Sequence, residues 1–316
     1  MSAPWDATLS PSEHSLILYF LLLAGAALFA SFIRTWATQG EVGVRYRSAV
    51  VARLGINAVA TAAYAILLFA FDRGYDETAA GFVPNGHAIE LIAVRYADWS
   101  VTVPLIVIEL FAVCAIAGVQ ARRIRSIAVG AAFLMIFAGF LGGAIDFGGS
   151  IGTQRIIGGA VSAVFWVVLM WLIIRTVRRS IPQLTAESGA LLTTATRLLL
   201  VGWVFYPIVY LIPVFFEGGA WTTAIFVGFS IADIVVKVGF AGLIHRIAKL
   251  RTAEDVRAGN DIHPEAIWIT SVKQSDSGVP SEVYLAEGAS AHARRARPAT
   301  DEAVPTPNAA EETTLD

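Results

Sequence analysis

Seven long apolar segments recur along the first 250 residues of this 316-residue chain. Each segment is long enough to cross about 30 Å of hydrocarbon as an α-helix. The chain is 56% hydrophobic and 15% charged, which is too apolar for a soluble domain. The sequence therefore predicts an all-α membrane protein, a seven-transmembrane-helix bundle that crosses the cell membrane repeatedly. The predicted helices occupy residues 14–36, 49–71, 88–119, 126–145, 154–174, 190–215 and 221–247.

Basic residues cluster at alternate connections between these segments. Short loops rich in Lys and Arg stay on the cytoplasmic side of a membrane, which places the N-terminus outside and the C-terminus inside. Residues 1–13 are then an extracellular segment and residues 14–250 the helical domain. Residues 251–316, rich in Ala, Ser, Glu, Thr and Pro, are expected to be a disordered cytoplasmic tail. The basic clusters are Arg34, Arg45, Arg47 and Arg53; Arg122, Arg123 and Arg125; Arg175, Arg178 and Arg179; and His245, Arg246, Lys249 and Arg251.

The composition also argues against several other classes of site. The net charge of −2 is segregated along the chain and gives no basic surface for nucleic acid. A single cysteine, Cys114, and five scattered histidines predict neither a disulfide framework nor a metal site.

Lys237 is a charged residue near the middle of the apolar seventh segment and requires an explanation. A charged side chain deep in an apolar run costs several kcal/mol and indicates a functional site. Asp233 lies four residues earlier and therefore on the same helical face. Two interpretations follow from these residues: a structural ion pair, or a lysine amine that forms a Schiff base with an aldehyde, with Asp233 as its counterion.

The third segment carries three ionisable residues in the sequence RYADWSVTVPLIVIEL, namely Arg95, Asp98 and Glu109. Asp98 and Thr102 lie one turn apart, and Glu109 returns to the same face about 16 Å further along the helix. Carboxyl groups at different depths are what a proton relay requires. The alternative is that Glu109 packs against a polar group of a neighbouring helix.

Aromatic residues mark the sixth segment, which contains WVFYPIVY from Trp203 to Tyr210. Pro207 removes a backbone hydrogen bond there and predicts a kink or hinge. Trp203 and Tyr206 share one face, and Trp99 lies beside Asp98. Such a stripe usually means helix packing, but a nearby reactive lysine favours rings that flank a flat, apolar, elongated aldehyde.

Together these motifs resemble the microbial rhodopsins, the seven-helix retinal proteins that include bacteriorhodopsin, proteorhodopsin and xanthorhodopsin. The resemblance rests on RYADW followed by Thr, Pro-Leu and an acid, on WxxYP, and on DxxxKVGF, and it spans residues 14–250. It implies a light-driven outward proton pump, not an enzyme, that binds all-trans retinal as a protonated Schiff base. The alternative is a sensory photoreceptor that signals through a partner or the tail.

The resemblance also implies a role for each matching residue. Lys237 corresponds to the retinal-binding lysine, Asp98 to the proton acceptor and counterion, Asp233 to the second counterion and Glu109 to the proton donor. Thr102 is expected to hydrogen-bond Asp98. The other implied site residues are Arg95 and Tyr64 in the counterion network, Glu217 in proton release, and Trp99, Trp203, Tyr206, Pro207, Met135, Gly139 and Ser162 around retinal.

Three positions depart from the family pattern. Ala63 stands where proteorhodopsin-like pumps carry a histidine, and Ile225 stands where bacteriorhodopsin has the partner of its Glu217 equivalent. Gly159 stands where bacteriorhodopsin has a tryptophan and xanthorhodopsin-like pumps have glycine, which predicts a window for an antenna carotenoid. The alternative interpretation of Gly158 and Gly159 is that these small residues allow close helix packing. Expected partners are the lipid bilayer, protons and a second copy of the chain in a homo-oligomer.

Overall fold

The computed structural model describes residues 5–145 and 151–259. Within these ranges seven helical spans are long and apolar enough to cross a membrane, which confirms the predicted bundle. Contacts divide the chain into Met1–Thr252, which holds the first six spans and the seventh as far as Thr252, and Ala253–Asp316. Of the second unit, residues 253–259 are described, and the predicted tail beyond them lies outside the described residues.

The first six spans are single α-helices, and the seventh is a composite of three helical pieces. Short 3-10 turns, Gln39–Glu41 and Val44–Tyr46, connect the first helix to the second. A further 3-10 turn, Ile181–Gln183, precedes the sixth helix. The α-helices are α1 Pro11–Ala37, α2 Arg47–Gly74, α3 Glu90–Ala112, α4 Gly118–Ala144, α5 Ile151–Ser180, α6 Ala186–Phe215, α7 Gly219–Asp233 and α8 Ala241–Arg257.

The segment that joins α7 to α8 is a π-helix, Ile234–Phe240, with Lys237 at its centre. The sequence predicts a single membrane-spanning helix over residues 221–247, which is confirmed, but it does not indicate this change of helix type within the span. A π-helix places more than four residues in each turn and occurs mainly at functional sites. Gly202 of α6 faces this segment, since an added Cβ there would lie 2.7 Å from Val236 Cγ2. Lys237 is therefore carried by a widened turn packed closely on α6.

The third span is shorter than the apolar run that predicts it. α3 ends at Ala112 and α4 begins at Gly118, where φ is +75°. Buried Val113 lies in the intervening turn and keeps the run apolar, so hydrophobicity alone misses the helix end. Arg251 Nη1 donates a hydrogen bond to the Val113 carbonyl at 2.7 Å and satisfies a group left open at the α3 terminus.

A small β-hairpin, which the sequence analysis did not predict, lies between α2 and α3. Strand β1, Tyr75–Thr78, pairs antiparallel with β2, Gly81–Pro84. Residue Leu9 forms an isolated bridge with Phe82, and His14 of α1 stacks on the same ring at 3.8 Å. Ser10 and Glu13 form a capping box that starts α1 beside this hairpin. We call this end of the bundle the hairpin end and the opposite one the basic end.

Candidate functional site

Lys237 connects the third span to the seventh through two carboxylates. Its Nζ donates to Asp98 Oδ2 and, over 3.4 Å, to Asp233 Oδ2. The three side chains are between 0% and 4% exposed, so the charges face each other and not solvent. The structure thus brings together the predicted lysine and both predicted counterions. Lys237 and Asp98 meet although they are 139 positions apart in the sequence.

The two carboxylates differ in their remaining partners. Tyr64 donates its hydroxyl proton to Asp233 Oδ2 at 3.0 Å, and Tyr206 donates to Asp233 Oδ1 at 2.8 Å. Asp98 Oδ1 has no hydrogen-bond partner among the described residues. Hydrogen bonds stabilise the charged form of a carboxylate. Asp233 is consequently the better-held anion, and Asp98 keeps an oxygen free to bind a proton.

Arg95 adds a second buried cation on the hairpin side of this cluster. Its Nη1 reaches the Tyr64 hydroxyl at 3.5 Å, and its guanidinium lies 5.2 Å from the centre of the Phe229 ring. Its Nε and Nη2 have no partner in the parts of the chain that the structure describes. With Lys237 it balances the two carboxylates, so the cluster as a whole is formally neutral.

Thr102 bonds Asp98 through the backbone and not through the carboxylate. Its hydroxyl donates to the Asp98 carbonyl oxygen at 2.9 Å. This bond to the residue four positions earlier is the usual choice for a threonine inside a helix. The two residues are therefore hydrogen-bonded, but the bond does not involve the Asp98 carboxylate.

Glu109 forms a separate site further along α3. Its side chain is 1% exposed, and within the described ranges both carboxyl oxygens lack a hydrogen-bond partner. Eleven residues of helix, about 16 Å, separate it from Asp98. The charge of Arg53 on α2, itself a buried residue, acts on this carboxyl group. A lone carboxyl in such a place can store a proton.

An apolar cavity of about 260 Å³ opens beside Lys237, in the middle of the bundle. It has nearly the volume of typical small-ligand sites, which begin at about 300 Å³. The predicted residues Trp99, Met135, Gly139, Gly159, Ser162, Trp203, Tyr206, Pro207 and Lys237 all line it. Tyr64 does not, because its hydroxyl faces Asp233. Aromatic rings form much of the wall, and Trp99 stands edge-on to Tyr206 with 5.4 Å between the ring centres.

Sequence reasoning missed several residues of the wall, including Tyr96, Trp166 and Phe229. Helical periodicity contains the signal for all three. Trp166 lies one turn after Ser162, and Phe229 lies eight residues, or about two turns, before Lys237. Tyr96 lies three residues before Trp99 and therefore on the same face of α3.

The adjacent glycines of α5 have two different uses. A Cβ added to Gly142 of α4 would lie 2.6 Å from the Gly158 Cα, so these two backbones touch. Gly159 lines the cavity instead, and a Cβ added there would lie 2.9 Å from Tyr210 Cε1. Gly158 therefore serves helix packing, while Gly159 lets the Tyr210 ring pack directly against α5 at the cavity wall.

Glu217 lies on the turn between α6 and α7 and is exposed. It belongs to the surface, whereas Arg95, Asp98 and Asp233 are buried. The structure does not place it in the charged cluster around Lys237.

Comparisons with known proteins identify relatives of the whole helical domain. The sequence model of a family described as bacteriorhodopsin-like protein matches residues 12–250. Sensory rhodopsin III of Haloarcula marismortui is 31% identical over 159 residues, which cover 50% of this chain and 65% of that relative. Archaerhodopsin-3 of Halorubrum sodomense is 26% identical over 245 residues, which cover 77% of this chain and 88% of that relative.

A solved structure gives the same result for the fold. The structure of xanthorhodopsin, described as a light-driven ion pump with dual chromophore, matches with a TM-score of 0.71 at 28% identity. The match covers 79% of this chain and 98% of the xanthorhodopsin chain. Because the family match spans most of the chain and all seven helical spans, this protein belongs to the bacteriorhodopsin-like family, the microbial rhodopsins of the cell membrane, which are light-driven ion pumps or sensors and not enzymes.

Proposed function

We propose that this protein is a light-driven outward proton pump that carries all-trans retinal on Lys237 as a protonated Schiff base. The observation that supports this most directly is the arrangement of acids around one buried amine. Lys237 Nζ faces Asp98 and Asp233, and Glu109 stands isolated on the same helix as Asp98. A pump needs separate acids on the two sides of the group that releases and regains a proton.

The residues present fit retinal. The amine lies at the wall of an apolar cavity whose rings, from Trp99, Trp203 and Tyr206, suit a flat conjugated chain. Lys237 would hold the aldehyde carbon, and the cavity residues Met135 and Ser162 would help to enclose the chain. When bound, retinal supplies the absorption of light and the isomerisation that follows it.

The chain's own acids then hold and move the proton. Asp98 accepts a proton at a carboxylate oxygen, which its lack of tyrosine donors favours. Tyr64 and Tyr206 donate to Asp233, so both of its oxygens have a tyrosine partner. Glu109 returns a proton to the Lys237 nitrogen from the basic end. Arg95 directs the proton on Asp98 towards the hairpin end, where the exposed carboxylate of Glu217 can take it up.

The direction of transport follows from orientation. The basic clusters favour a cytoplasmic basic end and an extracellular hairpin end. Asp98 then lies towards the outside and Glu109 towards the inside, so the proton moves outward.

A sensory photoreceptor is the second candidate, because sensory rhodopsin III is among the relatives. A sensor does not need a dedicated donor, so the buried carboxyl of Glu109 favours the pump. A photocycle that lasts seconds and no light-driven pH change would favour the sensor.

Light-induced pH change in cells that express the protein with added retinal tests the proposal. The medium should acidify under light, and a protonophore should abolish the change. Asp98→Asn should abolish transport and move the absorption to longer wavelength, because a negative charge beside the Lys237 nitrogen is lost. Glu109→Gln should slow the return of the proton to that nitrogen by about 100-fold or more, the usual contribution of a positioned acid.

Two results would contradict these roles. Acidification by Asp98→Asn at the wild-type rate would remove Asp98 as the acceptor. A Glu109→Gln protein with unchanged recovery after a flash would remove Glu109 as the donor. A wild-type protein that binds retinal but leaves the pH unchanged would refute the pump itself.

Two further parts of the proposal concern partners. We infer that Gly159 provides the window through which an antenna carotenoid contacts retinal, because this half-buried position lies at the cavity wall and has no side chain to cover it. The homologous structure described as having a dual chromophore supports this assignment. We also propose that the chain forms a homo-oligomer in the bilayer, testable by cross-linking in native membranes.

A further inference from the structure

The outer face of α5 carries an exposed row of side chains that the proposed pump does not use. Val164, Val167 and Trp171 are 63%, 58% and 54% exposed. Spacings of three and four residues place them on one face of the helix. Arg175 and Arg178 follow Trp171 by four and seven residues, continue the same face and are exposed as well. We call these five residues the α5 stripe, which is apolar along most of its length and basic at its end.

The change from apolar to basic side chains falls at the surface of the bilayer. Residues 154–174 form about 30 Å of helix, which equals the hydrocarbon thickness of a bilayer. Arg175 and Arg178 come within about one turn after this apolar length. Tryptophan is typical of the same depth, because its ring is apolar and its N–H is polar. The α5 stripe therefore presents valines to lipid tails and guanidinium groups to the headgroup region.

Trp171 supports the guanidinium group of Arg175. The guanidinium carbon lies 4.9 Å from the centre of the Trp171 ring. A cation over the face of a tryptophan ring is attracted by the ring and keeps fewer side-chain conformations open. The N–H groups of a guanidinium form a planar fork that matches the oxygens of a phosphate. Arg175 is consequently held at the membrane surface in a form suited to bind such a group.

Further arginines surround the basic end of the α5 stripe. The start of α4 lies beside the end of α5, since the Ala115 backbone N–H donates to Ser180 Oγ at 3.1 Å. Arg122 and Arg123 in the first turns of α4 and Arg179 on α5 are also exposed. With the two arginines of the stripe, five exposed cations lie at one end of two neighbouring helices.

This positive charge is not neutralised within the described part of the chain. No ion pair joins these five arginines to an acidic residue among residues 5–145 and 151–259. The sequence from 111 to 185 contains one acidic residue, Asp146, which comes after the opposite end of α4. The connection between α1 and α2 differs, because its Glu41 lies 2.5 Å from Lys249. The anion that balances the α4 and α5 arginines therefore comes from outside this part of the chain.

We propose that the α5 stripe binds an anionic phospholipid. Arg175 and Arg178 hold the phosphate, and an acyl chain lies along Trp171, Val167 and Val164. Hydrogen bonds from guanidinium groups to phosphate oxygens are charge-assisted and often paired. A general preference for basic residues on one side of the membrane explains where the arginines lie, but not the exposed ring stacked on one of them. The lipid site is separate from Lys237 and does not depend on the proposed pump function.

Lipid competition in nanodiscs tests this proposal. The full-length, retinal-loaded protein is placed in bilayers with equal amounts of phosphatidylglycerol and phosphatidylcholine, and the lipids that stay bound are identified by native mass spectrometry. Each basic residue near an anionic surface contributes a factor of about five, so the wild-type protein should retain phosphatidylglycerol by about 25-fold over phosphatidylcholine. Arg175→Gln combined with Arg178→Gln should remove most of this preference. Trp171→Leu should reduce it by about two- to fivefold.

Matched variants separate the site from a response to net charge. Arg175→Lys combined with Arg178→Lys keeps both charges but loses the planar forks, so its preference should lie between those of the wild type and the glutamine variant. Arg45→Gln combined with Arg47→Gln removes two exposed charges at the same end of the bundle, and should leave the preference unchanged. Salt at 1 M should weaken the wild-type preference, because the Debye length falls to about 3 Å.

Three results would overturn the lipid site. The first is equal retention of the two lipids by the wild-type protein, and the second is wild-type preference in the Arg175→Gln, Arg178→Gln variant. The third is an equal loss of preference in the Arg45→Gln, Arg47→Gln variant, which would indicate net charge alone. Absorption and light-driven pH change should stay at wild-type values in the α5 variants, so a failure of the lipid site is distinguishable from a failure of the proposed pump.

Discussion

The hydroxyl of Tyr206 provides a sharp test of how Asp233 is held. Tyr206→Phe removes the 2.8 Å bond to Asp233 Oδ1 but keeps the ring. The ring contacts with Trp99 at 5.4 Å and Phe229 at 6.0 Å therefore remain. A hydrogen bond to a charged acceptor contributes about 1.5–3 kcal/mol, and the bare carboxylate oxygen stays buried.

The matching change on the other oxygen should cost less. Tyr64→Phe removes a 3.0 Å bond to Asp233 Oδ2, but that oxygen keeps Lys237 Nζ at 3.4 Å. The expected loss is about 0.5–1.5 kcal/mol. Tyr210→Phe is the control within the same cavity wall, because its hydroxyl donates to the neutral carbonyl of Arg155 at 3.0 Å.

Loss of colour at a fixed elevated temperature measures these differences in the retinal-loaded protein. A loss of 1.5–3 kcal/mol from the barrier corresponds to bleaching about 10- to 150-fold faster for Tyr206→Phe. Thermal unfolding without retinal should rank the variants in the same order. Bleaching of Tyr206→Phe at the wild-type rate, or slower than Tyr64→Phe, would refute the argument that Tyr206 alone satisfies Asp233 Oδ1.

Two further predictions concern Gly159 at the cavity wall and Glu41 on the turn after α1. Gly159→Trp should cover the cavity wall at this position and displace the Tyr210 ring, which even an added Cβ would approach to 2.9 Å. It should abolish energy transfer from an added carotenoid, measured as fluorescence excitation, with retinal binding preserved. Glu41→Gln should lower the unfolding temperature at neutral pH. Because the folded-state pKa of Glu41 is depressed below 4.5, its stabilising effect is complete above about that pH and is lost as pH falls through the lower folded value. The unfolding temperatures of the wild-type protein and Glu41→Gln should therefore converge on acidification. A constant difference would contradict a stabilising ion pair between Glu41 and Lys249.

The seven spans and the contact between the third and seventh of them could be predicted from sequence. Apolar length fixes the spans, and a charge such as Lys237 inside hydrocarbon requires a partner, of which Asp98 and Asp233 were the candidates. The cavity wall followed from the resemblance, since rings on two separate helices have no pattern that joins them.

Other features depend on contacts between distant parts of the chain. The hairpin forms because Leu9 bridges to Phe82, and nothing in the short polar loop indicates this pairing by itself. The end of α3 was missed because Val113 is buried and apolar although it lies in a turn. The contact of Thr38 with His245 joins residues that are 207 positions apart in the sequence. The widened turn at Lys237 has no signature in hydropathy.

The backbone contact between Gly142 and Gly158 limits which helices can separate when the chromophore changes shape. No side chain lies between α4 and α5 at that level to yield, so the two helices form a stiff wall. On the facing side, α6 contains Pro207 and Pro213, which leave two main-chain carbonyls without their usual intrahelical donor. A change in the shape of a ligand in the cavity should therefore displace α6 more easily than α4 or α5, and the bundle should open along α6 first.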